Sequence, residues 1–299
     1  MTDHRSGWLE RALPFLVVLA FAVYAFEHVR AVATRGENIA LVEAGLLLTT
    51  FALLHAIHML GWRRALAFFG ICAVLSWAAE QHSITSGNVG EYYYTEVLGP
   101  KLLDVPYVIP LTWFLMMYPS HVMTNLIVER VPALRRGTIP LAMWLAFLTA
   151  AVMTAWDLAL DPYMVGVVGA WVWVDGGPYF GVPFANYFGW IHVVFLIDLI
   201  YRLVARRLPL EPIGRVGATV ALLPVGVYAM NTLSSMIVGS PPETRLIAAF
   251  AMGIPVWMAL TRIVQGIEAR GRQGEIELAP HQAADGETSR PGRSEPGVA

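Results

Sequence analysis

Carboxylates stand here where an apolar chain can least afford them. Glu80 closes one long apolar stretch, and Asp157 and Asp161 close another, four residues apart and therefore on one face of a helix. An ionisable side chain inside such a stretch is costly, and in a membrane it is kept for function. A carboxylic acid shielded from water favours its neutral form, which can donate a proton that the conjugate base can later take back. Around these acids the chain places Tyr92, Tyr94, Trp171, Trp173 and Trp190. Aromatic faces stabilise cations by about 2 kcal/mol or more once water is excluded. Asn186 and Asp104 add polar groups at the same boundary. Residues of these types suit proton transfer to an oily molecule, with Glu80, Asp157 and Asp161 as acid or base and the rings, Asn186 and Asp104 as its binding surface.

Plainer readings exist for each. Asp161-Pro162 also reads as a helix end, and Trp or Tyr at the ends of spans anchor in the membrane interface. Asp104 and Glu96 can pair with Lys101 or cap a helix. Asp198, four residues before Arg202, reads as half of an intrahelical ion pair. Asn231, alone in its stretch, reads as an interhelical hydrogen bond. His55 and His58 are spaced to ligate a metal, but the other histidines are scattered singly, so no metal is expected. Gly87 and Gly90 form no strand-to-helix nucleotide fingerprint, so no NAD or flavin is expected either.

The elements that must position these residues follow from composition. With 57% hydrophobic and 14% charged residues there is too little polar surface to coat a water-soluble globule. Lipid must solvate most of the chain, and no nucleic-acid partner is expected. Eight apolar stretches, about 13–32, 39–60, 64–82, 106–128, 138–160, 184–204, 215–238 and 245–266, are each long enough to cross a hydrocarbon core. None alternates with a strand period, so an all-α, polytopic membrane fold of about eight transmembrane helices is expected over residues 1–270. The first stretch lacks a convincing cleavage site and reads as a span, not a signal peptide. Placing the N-terminus inside assigns 14 Lys and Arg to inner segments and 4 to outer loops, so both termini are expected in the cytoplasm of a cell-membrane protein. Residues 271–299 turn polar and read as a disordered cytoplasmic tail. Cys72 is the single cysteine, so no intramolecular disulfide is possible.

Two long outer connections, 82–105 and 161–183, carry the Gly, Pro, aromatic and acidic residues, and their aromatic content argues for folded, functional loops. They also hint at a parallel repeat. Glu80 to Gly99 spans 19 residues and Asp157 to Gly177 spans 20, while Pro106 to Trp113 and Pro183 to Trp190 both span 7. Repeats of this kind meet about an axis along the membrane normal and place a site between them. The alternative is that Pro and Gly merely punctuate helix starts.

The run Leu98-Gly99-Pro100-Lys101-Leu102, with Val105-Pro106, Ile109-Pro110-Leu111, Trp113-Phe114 and Tyr118-Pro119, resembles the carotenoid biosynthesis family that includes the CruF-like carotenoid hydratases. The second block is similar to the same family: Trp156-Asp157-Leu158, Leu160-Asp161-Pro162, Trp171 with Trp173, Tyr179-Phe180-Gly181-Val182-Pro183, Asn186 and Gly189-Trp190. Ser83 departs from its pattern, as does the absence of a Pro-Phe before Gly90. The resemblance implies addition of water across the terminal double bond of an acyclic carotenoid end group, giving a tertiary alcohol without a redox cofactor. Such a reaction needs a proton donor at the less substituted carbon, stabilisation of a tertiary cation and a positioned water. The carboxylates and rings above meet those needs, with substrate delivered from the bilayer, and other enzymes of the pathway are conceivable partners. A non-catalytic carotenoid or retinal-type binder, or a lipid transporter, would use the same aromatic cleft without needing protonatable carboxylates.

Overall fold

The computed structural model describes residues 4–34, 41–133, 137–213 and 217–278. Most of them are helical. Long helices are α1 (His4–Ala33), α2 (Leu41–Leu60), α3 (Trp62–Ser86), α4 (Val108–Glu129), α5 (Ile139–Tyr163) and α6 (Phe184–Ala205). After α6 come α7 (Ala218–Ala221), α8 (Leu223–Val238), α9 (Glu243–Ala251) and α10 (Gly253–Leu278). The chain divides into a unit of residues 1–259 and a second of residues 260–299, of which 260–278 are described and helical.

Five stretches among the described residues are long and apolar enough to cross a membrane: Glu10–Ala33, Val42–Leu60, Ile139–Val168, Phe184–Ala205 and Glu243–Glu268. The other three expected spans fall short of that measure for visible reasons. α3 carries Arg63, Arg64, Glu80 and Gln81, α4 carries Tyr118, His121 and Asn125, and α8 has only 16 residues. α4 is nevertheless the most enclosed helix, buried continuously from Trp113 to Ile127 and packed against α2, α3, α5 and α8. A helix buried on every face over so long a run sits in the middle of the bundle, and its polar side chains face other helices.

Proline explains where helices break. The stretch expected at 215–238 divides at Leu222, because Pro224 cannot donate to the carbonyl of Val220 and its ring crowds it. That freed carbonyl accepts instead from His55 Nε2 at 2.8 Å, while His55 Nδ1 takes the Tyr118 hydroxyl proton at 2.8 Å. His58 Nδ1 bonds the carbonyl of Ile213 at 2.7 Å, so the pair spaced for a metal ties α2 to its neighbours. The stretch at 245–266 likewise divides at Met252, before Pro255. α10 runs on to Leu278, past the point where the polar tail was expected to begin, and residues 279–299 lie outside those described.

Asp161-Pro162 does not end its helix as the sequence allowed. α5 continues to Tyr163 and relaxes into one wider, π-helical turn over Met164–Val168, a distortion that proline commonly introduces. α3 also outruns its expected end and stops at Gly87, whose φ of +65° suits glycine.

Both long connections are shorter than expected and carry strand. β1 (Tyr92–Tyr94), β2 (Lys101–Leu102) and β3 (Val105–Pro106) lie in the first, and β4 (Trp171–Trp173) lies in the second. β2 pairs with β3 as a hairpin, whereas β1 pairs antiparallel with β4, matching Tyr92 to Trp173, Tyr93 to Val172 and Tyr94 to Trp171. The two connections therefore form one cap. A Cβ on Gly177 would collide with the Val182–Pro183 peptide, so the turn beneath β4 requires glycine there.

Candidate active site

The cap and the helices beneath it line a cavity of about 240 Å³. Of the residues singled out from sequence, Glu80, Tyr92, Tyr94, Asp157, Asp161, Trp171, Trp173, Asn186 and Trp190 all line it. Asp104 does not. It sits exposed on the β2–β3 hairpin, where its carboxylate accepts from Gln81 Nε2 at 2.7 Å. Glu96 is also outside, paired with Lys101 at 3.0 Å.

Each carboxyl has a different set of partners. Glu80 accepts three hydrogen bonds: from the Tyr92 hydroxyl at 2.6 Å and the Tyr94 hydroxyl at 2.9 Å on Oε2, and from Trp113 Nε1 at 3.0 Å on Oε1. Indole N–H can only donate, so this carboxyl is built as an acceptor. Burial, and then the charge of Glu80, hold the phenols of Tyr92 and Tyr94 well above the ordinary tyrosine pKa, so both remain donors. Asp161 accepts from Trp171 Nε1 at 2.8 Å and from Asn186 Nδ2 at 2.6 Å. Asp157 is as deeply buried, at 1% exposure, yet its Oδ2 has no hydrogen-bond partner. Trp173 Nε1, on the same cavity, is a second buried polar atom without one. Orphaned buried groups are rare and mark strain or chemistry.

The repeat seen in the spacings has a structural counterpart. Trp113 and Trp190 stack with centroids 4.4 Å apart and planes 20° from parallel. Glu80 precedes Trp113 by 33 residues, and Asp157 precedes Trp190 by the same 33. The equivalence ends at the hydrogen bonds: Trp113 donates to Glu80, and no such bond joins Trp190 to Asp157. In the second half it is Asp161, one turn further along, that receives the indole of its own connection.

Sequence reasoning missed Trp113 as a site residue, although its place in the repeat marked it. It also missed Tyr24 and His28 of α1, which no spacing signalled. Asn231 does make the expected interhelical bond, to the Tyr24 hydroxyl at 2.7 Å, and lines the cavity as well. Asp198 is paired with Arg202 at 2.7 Å as expected, and with His121 at 2.6 Å besides, away from this cavity. Among the described residues no cluster of His, Cys, Asp and Glu is arranged to hold a metal.

Known proteins bear on this cavity. The chain shares 32% identity over 108 residues with the bisanhydrobacterioruberin hydratase of Haloarcula japonica, covering 36% of this chain and 34% of that protein. The match thus spans about a third of the relative's length. No solved structure matches the chain. A family model described as carotenoid biosynthesis protein matches residues 40–260, which takes in α2 to α9, the whole cap and all three carboxylates. That match, over more than half of the chain, shows that it belongs to the carotenoid biosynthesis protein family, and its long apolar helices fit a membrane protein.

Proposed function

We propose that the protein hydrates the terminal double bond of an acyclic carotenoid, with Asp157 as the acid. The observation that carries this reading is the unequal provision of donors to three carboxyls on one cavity: three to Glu80, two to Asp161 and none to Asp157 Oδ2. Donors aimed at a carboxyl favour its anion, and their absence at a buried site favours the neutral acid. Neighbouring carboxyls in contrasting surroundings divide acid and base roles in this way.

The atoms balance without a redox step. Asp157 gives its proton to the less substituted alkene carbon, and the π pair forms the new C–H bond. The positive charge left on the tertiary carbon faces the rings of Trp171, Trp173, Trp113 and Trp190. Water adds its oxygen to that carbon and releases a proton to Glu80 or Asp161, from which Asp157 is reprotonated. Trp173 Nε1, lacking a partner, supplies a donor for the oxygen of the water or of the tertiary alcohol. The Haloarcula japonica relative is a hydratase, which supports the same reaction type here.

Expressing the chain in a host that accumulates an acyclic carotenoid tests the proposal. The expected product is a more polar pigment heavier by one water, whose hydroxyl carries heavy oxygen when the cells grow in heavy-oxygen water. Unchanged pigment that copurifies with the protein would overturn the reaction and leave a binder.

A further inference from the structure

We infer that the polyene chain of the substrate leaves the carboxylate cavity through a second cavity between α1, α5 and α8, so that these helices, and not the cap, determine which chain lengths are accepted. The inference rests on the reading of the site as one for acyclic carotenoids. A conjugated all-trans chain is a rigid rod. With its end group beneath the cap, the rest of it must leave in a nearly straight line.

The second cavity holds about 140 Å³ and shares His28, Trp156, Leu160 and Asn231 with the first, so the two adjoin across these side chains. Beyond the shared residues its walls are largely small or apolar, including Ala31, Val32, Ala159 and Val238. It borders α1, the least covered of the candidate spans, with 17% of its apolar window buried, so the passage lies at the lipid-facing margin of the bundle. A chain drawn from the bilayer needs such a margin.

The polar residues at the junction are turned onto one another. Asn231 Nδ2 donates to the Tyr24 hydroxyl at 2.7 Å and to the carbonyl of Val227 at 2.9 Å. His28 Nε2 lies 3.3 Å from the carbonyl of Met230, which can only accept, leaving Nδ1 to take the Tyr24 proton at 3.3 Å. Every N–H and O–H of the three is thereby engaged, and a hydrocarbon chain passing them meets no unsatisfied donor. Trp156 is held in place by an edge contact with Tyr228, centroids 5.3 Å apart.

The test uses the full chain in lipid nanodiscs with two substrates bearing the same end group, a full-length acyclic carotenoid and a short acyclic isoprenoid. Ala31→Phe on α1 and Ser235→Phe on α8 should each lower conversion and retention of the long substrate by about tenfold or more, the scale expected of overpacking. Conversion of the short one should stay within twofold. In Ser235→Cys, bound full-length pigment should slow alkylation of the new thiol. Parental handling of the long substrate by both filled variants, or an alkylation rate unaffected by pigment, would overturn the passage. Retained pigment that protects this introduced thiol but gains no hydroxyl would sink the hydratase reading alone.

Discussion

Asp157 and Asp161 stand one turn apart on α5, both buried and both on the same cavity, yet Asp161 receives two hydrogen bonds and Asp157 Oδ2 none. Substitution should separate them. Asp157→Asn removes a proton donor and breaks no hydrogen bond to Oδ2, so it should cost about 10² to 10⁴ in conversion while destabilising the fold less than Asp161→Asn does. Asp161→Asn places an amide N–H against a donor from Trp171 or Asn186, and should lower thermal stability as well as activity. Near-parental conversion by Asp157→Asn would remove it from the acid role.

Glu80→Gln should show the combined phenotype more strongly. Turned one way, the amide NH₂ opposes the indole N–H of Trp113; turned the other, it donates to the tyrosine oxygens, whose own O–H groups then lose the oxygen they donated to. An unsatisfied buried donor costs about 1–3 kcal/mol. The melting temperature should therefore fall along with product formation, and a Glu80→Gln protein as stable as the parent would mean that the three donors do not hold this carboxyl.

Trp113→Phe keeps a ring against Trp190 while deleting the N–H that Glu80 accepts. A hydrogen bond to a charged group contributes about 1.5–3 kcal/mol, so conversion should fall at least about tenfold. Trp190→Phe deletes no bond to a carboxyl and should be milder. If the two variants behave alike, the stack matters and the hydrogen bond does not.

Across the cap, Tyr93 faces Val172 in an antiparallel pair. Opposed positions bring Cα atoms to about 4.5–5.5 Å, within reach of a disulfide. Tyr93→Cys with Val172→Cys, in a background carrying Cys72→Ser, should crosslink under mild oxidation and shift mobility in a gel after cleavage between the two connections. A pair that stays reduced under conditions that oxidise exposed thiols would contradict the cap.

Most of the helical frame was legible because burial in lipid demands long apolar runs, and the runs are present. Its breaks were less so: Pro224 and Pro255 sit inside runs that hydropathy alone reads as continuous. Nearly all of the cavity residues named from sequence came together because carboxylates at the ends of apolar runs have few other reasons to exist. Asp104 was misplaced with them, since a residue near the site in sequence can still sit on the outer side of a hairpin. The β1–β4 pairing could not be read from either connection, because each supplies only three strand residues and the partner lies in the other. The contrast between Asp157 and Asp161 was equally hidden, as it depends on where Trp171 and Asn186 reach, not on the spacing of the acids.

From the charge distribution we propose that the cap lies on the outer face of the membrane. Asn88 and Asp175 are exposed at the cap, and Arg207 is exposed just beyond the far end of α6. With Cys72 replaced, Asn88→Cys and Asp175→Cys should react with a membrane-impermeant thiol reagent in intact cells, and Arg207→Cys only after lysis. The opposite labelling pattern would invert the topology and bring water to the cavity from the cytoplasm.

Asp198 provides the contrast that makes the acid assignment testable. It is fully buried, yet unlike Asp157 it is compensated: Arg202 Nε binds one oxygen at 2.7 Å and His121 Nδ1 the other at 2.6 Å, while Arg202 also reaches Asn125 Oδ1 at 2.9 Å. These contacts join α4 to α6 away from the carboxylate cavity. Asp198→Asn strands the Arg202 charge inside the bundle, and breaking a buried pair from one side costs about 3–5 kcal/mol. The variant should unfold at clearly lower temperature, while the fraction that remains folded hydrates substrate at the parental rate per molecule. Asp157→Asn should give the reverse, a protein that stays folded but makes no product. A thermally robust Asp198→Asn that has lost activity would mean that this second buried cluster takes part in proton movement, and the division between a chemical and a structural carboxylate would have to be redrawn.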